Sequence, residues 1–255
     1  MKLQPINNSS LKTHGIKKTV KFGIKSSGLA HIFNVLRNQL YSDKITAVIR
    51  EYTCNAIDAH VEDGKSETPI IVTLPNRLNP NFKVRDYGKA LSDDEISEVY
   101  AFYGESTKRT SNDQIGMIGI GSKSAFAYGD NFVIHSYIDG KKHIYNAFID
   151  PSQVGQITKL GVEETEEENG VEIVVPVKGD DHDEFREKSE TLFKWYKVRP
   201  TIKGAKEFSY TDNDILFNSD DGDWEWTDGK ADGYYGSGGE CIAVMGNIGY
   251  PVSWY

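Results

Sequence analysis

The sequence predicts an α+β fold in which a mixed sheet carries helices on one face. Segments with helical periodicity and segments with strand periodicity are interleaved along the chain. An Asp139-Gly140 pair between two apolar runs is a strong signal for a β-hairpin, so some strands are antiparallel neighbours. Helices and hairpins in this arrangement favour a sheet layer covered by a helix layer.

Periodicity and local signals locate the individual helices, strands and loops. Ser92 and Glu95 form a capping-box pattern at the start of one helix, and the Asp139-Gly140 turn joins two strands. Helices are predicted near 29–40, 43–63, 92–103, 122–128 and 182–196. Strands are predicted near 16–24, 69–74, 81–86, 131–138, 142–149 and 170–177, with a strand pair in 240–255. Loops are predicted at 104–114, in the acidic stretch before 170, and at 211–239.

Composition excludes several classes of protein. The 255 residues are 38% apolar and 26% charged, which is typical of a globular chain with one large domain, or one domain and part of a second. No apolar run approaches the ~18 residues of a membrane span, and the first residues lack a signal-peptide core. Cys54 and Cys241 can form neither a disulfide framework nor a CxxC zinc site, which predicts a reducing, cytoplasmic setting.

The net charge of -9 is unevenly distributed. Residues 1–42 hold seven basic residues and no acid, whereas 161–190 hold twelve acids against three bases and 211–240 hold nine against one. We interpret the acidic runs as solvated loops and helix faces. The acidic balance argues weakly against a large footprint on duplex DNA.

The helix predicted at 43–63 carries the first candidate site. Glu51, Asn55 and Asp58 fall within an arc of about 60° beside its apolar stripe. A carboxylate can deprotonate water, and an amide oxygen is a suitable ligand for Mg²⁺. The alternative is that these are surface polar residues that happen to align. The stripe itself comprises Ile45, Val48, Ile49, Tyr52, Ala56 and Ala59.

Two further motifs lie at turns. Asp86-Tyr87-Gly88 ends a strand, where it is either an ordinary turn or the floor of a pocket that accepts an exocyclic amine. Glycines at 116, 119 and 121 lead into a helix beginning Ser122-Lys123, and such a turn can bind phosphate. The Walker A pattern fails there by one residue, and the dinucleotide-binding pattern fails at Ser124.

Together the three motifs resemble the GHKL, or Bergerat-fold, ATP-binding superfamily of type II topoisomerases, large heat-shock chaperones, sensor histidine kinases and MutL. They read REYTCNAIDAH (50–60), VRDYGKALS (84–92) and IGMIGIGSKSAF (115–126). The resemblance implies a two-layer sandwich with a mostly antiparallel sheet over most of 16–200. The same stretches, with SNDQIGMIGIGSKSAFAYGDNF and GVEIVVPV, are similar to the phage rIIA lysis-inhibition family.

The superfamily resemblance implies roles for individual residues. Glu51 would polarise the attacking water, Asn55 would ligate Mg²⁺, and Asp58 would lie near the nucleotide. Asp86, with Gly88 beside it, would bind the adenine amino group. The phosphate loop and a lid over 104–114 would supply the remaining nucleotide contacts. These are Gly116, Gly119, Gly121, Ser122 and Lys123 in the loop, and Ser106, Thr107 and Lys108 in the lid.

The sequence departs from the superfamily pattern at two positions and at its end. Ala90 replaces the second glycine of the Asp-x-Gly-x-Gly motif, and Val171 replaces a threonine near the adenine, which puts a water-mediated base contact in doubt. Residues 1–205 are predicted to form the ATP-binding domain, with a basic N-terminal arm. Residues 206–255 would be an acidic loop and the first strands of a truncated, transducer-like second domain, so that turnover by this piece alone would be slow.

Two functions are therefore expected; of two others, one is disfavoured and one stays open. The first is an ATPase in which Mg²⁺ and ATP drive a conformational or dimerisation switch. The second is a nucleotide-binding or degenerate scaffold module without productive hydrolysis. A histidine kinase is disfavoured because no helical hairpin with a phospho-acceptor histidine precedes the motifs, whereas a DNA-processing ATPase stays open for a longer protein.

The rIIA-like resemblance also implies a cellular setting. The protein would act in lysis inhibition and in resistance to host exclusion, with an rIIB-like partner. It would reside in the host cytoplasm, peripherally at the inner membrane when the protein is full-length. No direct nucleic-acid contact and no membrane segment are predicted for this chain.

Overall fold

A computed structural model of the chain describes residues 29–101, 121–206, 208–210, 215–219, 225–227, 241–245 and 247–252. These residues form five α-helices and eleven strands. The helices are α1 (Leu29–Gln39), α2 (Lys44–Glu62), α3 (Asp93–Ala101), α4 (Ala125–Tyr128) and α5 (His182–Phe193). The strands are β1 (Ile71–Thr73), β2 (Asn81–Arg85), β3 (Asn131–Ile138), β4 (Lys141–Ile149), β5 (Gly155–Glu164), β6 (Gly170–Pro176), β7 (Thr201–Lys203), β8 (Ile215–Asn218), β9 (Glu225–Thr227), β10 (Cys241–Met245) and β11 (Ile248–Val252).

Seven of these strands form one sheet in the order β5-β4-β3-β6-β2-β1-β7. Every neighbouring pair is antiparallel except β1 and β7, which are parallel. The predicted mixed and mostly antiparallel sheet is therefore confirmed. The remaining four strands form two separate pairs, β8 with β9 and β10 with β11.

The helices cover one face of the sheet, and the core lies between the two layers. Strand side chains that point toward the helices are buried, as Phe82 of β2 and Phe132 of β3 illustrate at 0% exposure. Phe185 of α5 packs on Phe82, and Tyr52 of α2 packs on Phe132. Burying each such side chain stabilises the fold by roughly 1.5–3 kcal/mol relative to leaving it exposed.

Local signals in the sequence set several boundaries correctly. Asp43 caps α2, and its carboxylate accepts a hydrogen bond from the Thr46 N–H at 3.0 Å. Ser92 and Glu95 form the predicted reciprocal capping box before α3. The β3–β4 hairpin turns at Asp139 and Gly140, which both have positive φ, as a two-residue turn of type I′ requires.

Other expectations need correction. The acidic stretch before 170 contains β5, a long edge strand whose side chains are mostly exposed, so its sequence lacks the alternation of a half-buried strand. The short β7 was not predicted, and β8 and β9 lie within the stretch predicted as loop over 211–239. The helix predicted from 122 begins as a 3₁₀ turn at Gly121–Lys123. The strand near 16–24 and the loop 104–114 lie outside the described residues.

The division between the two predicted domains stays a prediction, and the last strand of the large sheet, β7, ends just before it. None of the helices in the described residues combines the length and the hydropathy that a membrane span needs.

Candidate functional site

Helix α2 is the common support of the candidate site. Its apolar stripe packs against the sheet, which leaves Glu51 and Asn55 half-buried at the edge of the stripe. Asp58, one turn further, is fully buried at 0% exposure. The 3₁₀ turn at Gly121–Lys123 contacts α2, and so does β2, the strand that leads into Asp86. The predicted motifs therefore meet on one helix.

The N-terminal half of α2 lies against the 3₁₀ turn at Gly121–Lys123, which we call the glycine turn. A Cβ atom built on Gly121 would stand only 2.2 Å from Glu51 Oε2, so the Glu51 carboxylate occupies the space that a side chain would need. The hydroxyl of Tyr52 donates to the Ser122 carbonyl at 3.1 Å and accepts from the Ala125 N–H at 3.2 Å. Tyr52 therefore fixes the turn relative to Glu51.

Two cations flank this half of the site. Arg50 donates to Glu51 Oε1 at 2.6 Å, and the Glu51 side chain is 20% exposed. Lys123 is 4% exposed and its ammonium donates to Ser122 Oγ at 3.1 Å. Burial lowers the pKa of Lys123 to about 8, because desolvation penalises its charged form. An anion bound beside this turn would favour the charged form of the ammonium.

The C-terminal half of α2 lies against the Asp86-Tyr87-Gly88 turn, which we call the aspartate turn. Asp86 is 5% exposed, and its Oδ1 accepts hydrogen bonds from the Gly88 N–H at 3.0 Å and the Val171 N–H at 3.2 Å. Burial raises the pKa of Asp86 to about 6, although these bonds oppose the shift. Gly88 is required sterically, since a Cβ there would stand 2.5 Å from the Ala59 carbonyl oxygen of α2.

Three side chains hold the backbone of this turn. The Tyr87 N–H donates to Nε2 of His60 at 2.7 Å, and Lys65 donates to the Tyr87 carbonyl at 2.6 Å. Arg85 donates to the carbonyl of Asp86. Its guanidinium lies over the ring of Tyr87 and over that of Tyr137, 4.6 and 4.1 Å from their centroids.

The structure thus brings most predicted residues to α2. Gly116, Gly119, Ser106, Thr107 and Lys108 lie outside the described residues. The predicted residues that the structure describes, at the two ends of the site, are Glu51, Asn55, Asp58, Asp86, Gly88, Gly121, Ser122 and Lys123. Within the residues described, no cluster of three or more His, Cys, Asp or Glu side chains could hold a metal ion.

Sequence reasoning missed the residues that position the two turns. Tyr52 was predicted only as part of the apolar stripe, because its periodicity carries no sign of what its hydroxyl binds. His60 offered a signal, since it lies on the buried side of α2 and a buried imidazole needs partners for its ring nitrogens. Arg50, Lys65 and Arg85 act through contacts that no local pattern encodes.

Comparison with known proteins identifies the family. The profile of the histidine kinase-, DNA gyrase B-, and HSP90-like ATPases matches residues 41–182, which is more than half of the chain and includes both turns. No curated protein matches the chain. The chain belongs to the family of histidine kinase-, DNA gyrase B-, and HSP90-like ATPases, whose domains bind ATP.

Proposed function

We propose that this chain binds Mg-ATP along α2, hydrolyses it slowly, and uses the bound nucleotide as a conformational or dimerisation switch. One observation carries the proposal. A single helix supports a buried aspartate turn at one end and a carboxylate packed on a glycine turn at the other, within the segment that matches the ATPase family. This arrangement suits a ligand with an amine-bearing base at one end and phosphates at the other.

The aspartate turn suits adenine. The backbone N–H groups of Gly88 and Val171 both donate to Oδ1 of Asp86, and these two bonds restrict the orientation of the carboxylate. A buried carboxylate with a fixed orientation is a strong acceptor for an exocyclic amino group. Val171 stands where the superfamily often has a threonine, and it supports Asp86 through its backbone N–H. This contact does not depend on the side chain, so the loss of the threonine hydroxyl leaves it in place.

The glycine turn suits phosphates. Gly121 allows close approach of backbone to ligand, and Ser122 and Lys123 follow it directly. Asn55 lies one helical turn after Glu51 and offers an amide oxygen to Mg²⁺, which in nucleotide sites takes most of its other ligands from phosphates and water. When bound, Mg²⁺ neutralises charge on the phosphates. Mg²⁺ would therefore need no larger set of protein ligands at this site.

Glu51 is the candidate general base. Its carboxylate reaches the glycine turn, and a carboxylate positioned beside bound phosphates can accept a proton from an attacking water. Arg50 holds Glu51 Oε1, which favours the second candidate function, nucleotide binding without productive hydrolysis. In that case the ion pair persists when nucleotide is bound and Glu51 does not serve as a base.

The cellular role is the part of the proposal that rests on sequence resemblance alone. The rIIA-like motifs support a phage protein that acts in lysis inhibition and in resistance to host exclusion, with an rIIB-like partner. On this proposal the protein works in the host cytoplasm or at the inner membrane. Co-purification from infected cells, with and without nucleotide, would test the partner.

The biochemical proposal is tested by calorimetry and by phosphate release. ATP with Mg²⁺ should bind and raise the melting temperature, and GTP should bind more weakly because it lacks the exocyclic amine at that position. Glu51→Gln should keep ATP binding and lose about 10²–10⁴-fold in phosphate release, the range typical of a lost general base. Failure of the parent protein to bind any nucleotide would overturn the proposal.

A matched control separates the base from a general effect on α2. Glu62 is an exposed glutamate at the end of the same helix, so Glu62→Gln changes the same chemical group away from the glycine turn. It should leave both binding and phosphate release unchanged. If Glu51→Gln releases phosphate as fast as the parent, Glu51 is not the base. If the parent binds ATP and releases no phosphate above the protein-free rate, the non-hydrolytic candidate replaces the ATPase.

A further inference from the structure

His60 connects α2 to the aspartate turn through both of its ring nitrogens. The side chain is 1% exposed. Nδ1 lies 2.8 Å from the Thr68 carbonyl oxygen, and Nε2 lies 2.7 Å from the Tyr87 backbone nitrogen. A carbonyl can only accept and a backbone N–H can only donate, so the imidazole is neutral, with its proton on Nδ1.

The peptide that His60 holds is the one that follows Asp86. Its carbonyl, on Asp86, accepts from Arg85, and its N–H, on Tyr87, donates to His60. The preceding peptide is also fixed, since the Asp86 N–H donates to the Val171 carbonyl at 2.9 Å. His60 is therefore the side chain through which α2 acts on the backbone conformation at Asp86, beside the close approach of the Ala59 carbonyl to Gly88, and this conformation directs the carboxylate.

We infer that His60 is a positioning residue for the base-binding end of the site. Its Nε2 acceptor sets the Asp86 turn so that the carboxylate faces an exocyclic amine of the ligand. This inference rests on the proposed function and deepens it, because it assigns the recognition of an amine-bearing base to a histidine as well as to the aspartate. The alternative is that His60 only ties α2 to Thr68 and fills space.

Two substitutions separate these roles, because each retains one of the two contacts. In His60→Gln, the side-chain carbonyl oxygen reaches the position of Nε2 and can accept from the Tyr87 N–H. In His60→Asn, the shorter amide reaches only the position of Nδ1 and can donate to the Thr68 carbonyl. Loss of the Nε2 acceptor leaves a buried N–H without a partner, which favours a rearranged turn.

The experiment measures the ATP affinity of the parent and both variants by calorimetry, with His31→Gln as a control on an exposed histidine of α1. His60→Gln should bind within about threefold of the parent, and His60→Asn should bind at least tenfold more weakly. His31→Gln should bind like the parent. Equal affinities of the two His60 variants, or the reverse order, would overturn the inference.

A second measurement tests the geometry without ligand or mutation. Long-range ¹H–¹⁵N correlation spectra of the ligand-free protein should show His60 as the neutral tautomer protonated at Nδ1, and the Tyr87 amide should be protected from hydrogen exchange. A charged His60, or a Tyr87 amide that exchanges freely, would contradict the inference. If these signatures are present but the parent binds no nucleotide, the proposed function fails and the positioning geometry stands.

Discussion

The two ends of α2 hold their turns by different kinds of contact. At the C-terminal half, the backbone carbonyl of Ala59 fills the space that a Cβ on Gly88 would need. The backbone N–H groups of Gly88 and Val171 donate to Asp86. At the N-terminal half, the space that a Cβ on Gly121 would need is filled by the end of a flexible side chain, that of Glu51. Backbone in a packed helix shifts only at a cost of about 1–3 kcal/mol, whereas a glutamate can change rotamer. The aspartate end is therefore fixed before a ligand arrives, and the glycine end is free to adjust.

This difference suits a switch. A ligand changes the population of two conformations only through contacts that differ between them. Contacts at the fixed end contribute affinity in both conformations, and contacts at the adjustable end can favour one. We therefore expect substitutions at the aspartate end to affect binding and stability, and substitutions at the glycine end to affect turnover.

The largest expected effect is that of Gly88→Ala. Its Cβ would stand 2.5 Å from a backbone oxygen and 2.9 Å from the Cβ of Ala59, so either the turn or the helix must move. Overpacking of this kind costs about 1–3 kcal/mol, and contact with backbone favours the upper end of that range. We expect ~3 kcal/mol less stability in urea titrations, and loss of ATP binding.

The control for this change is Gly161→Ala in β5, where a Cβ would meet nothing within 4 Å. That variant should unfold at nearly the parent's urea concentration. Equal stability of the Gly88 and Gly161 variants would show that the turn tolerates displacement, and the contrast between the two ends of α2 would then fail.

Gly121→Ala tests the adjustable end. The new methyl group displaces only the Glu51 carboxylate, so we expect the protein to fold with nearly unchanged stability and to bind ATP. Displacement of the base should lower kcat by about 100-fold, since general-base catalysis contributes roughly 10²–10⁴-fold. Single-turnover phosphate release measures this. A variant with parental kcat would show that Glu51 acts from another position or not at all.

Asp86→Asn tests the cost of the buried carboxylate. Burial raises the pKa of Asp86 to about 6, above its ordinary 3.8, so the folded protein binds a proton more tightly than the unfolded chain. The stabilisation from this group is complete below pH ~4 and is lost as the pH rises through about 6. Above that pH the folded state carries a buried charge, which lowers the free energy of unfolding by up to ~3 kcal/mol, at 1.36 kcal/mol per pKa unit.

The asparagine variant carries no such charge. We therefore expect the ligand-free variant to be about 1–2 kcal/mol more stable than the parent at pH 8, and the difference to vanish near pH 4. It should also bind ATP more weakly, because the amide N–H₂ can face the adenine amino group, and both of these groups are hydrogen-bond donors. Thermal melts from pH 4 to 8 measure the first effect, and a stability difference independent of pH would contradict it.

The sequence predicted the fold and much of the site, for identifiable physical reasons. The α2 boundaries follow from Asp43 and the apolar stripe, and the hairpin follows from Asp139-Gly140, because these signals are local. Strand β5 was missed because an exposed edge strand needs no alternation. The contacts of Tyr52 with Ser122 and of His60 with Tyr87 join residues that are distant in sequence, 70 and 27 positions apart, and no periodicity encodes them.

Tyr52→Phe should have the smallest effect on turnover and still distinguish the two ends of α2. It removes the hydroxyl that binds the Ser122 carbonyl and the Ala125 N–H, and each hydrogen bond contributes about 1 kcal/mol net. Tyr210→Phe is the matched control, because it also removes a hydroxyl bonded to a backbone carbonyl, that of Pro200, in a segment after β7. Tyr52→Phe removes two hydrogen bonds and should lose about 2 kcal/mol of stability in urea, whereas Tyr210→Phe removes one and should lose about 1 kcal/mol. Only Tyr52→Phe should also lower kcat, by about fivefold to tenfold at 1.4 kcal/mol per tenfold, because only Tyr52 fixes the glycine turn beside Glu51. Equal kcat values for the two variants would show that the turn keeps its position without the Tyr52 hydroxyl, and the glycine end would then be as fixed as the aspartate end.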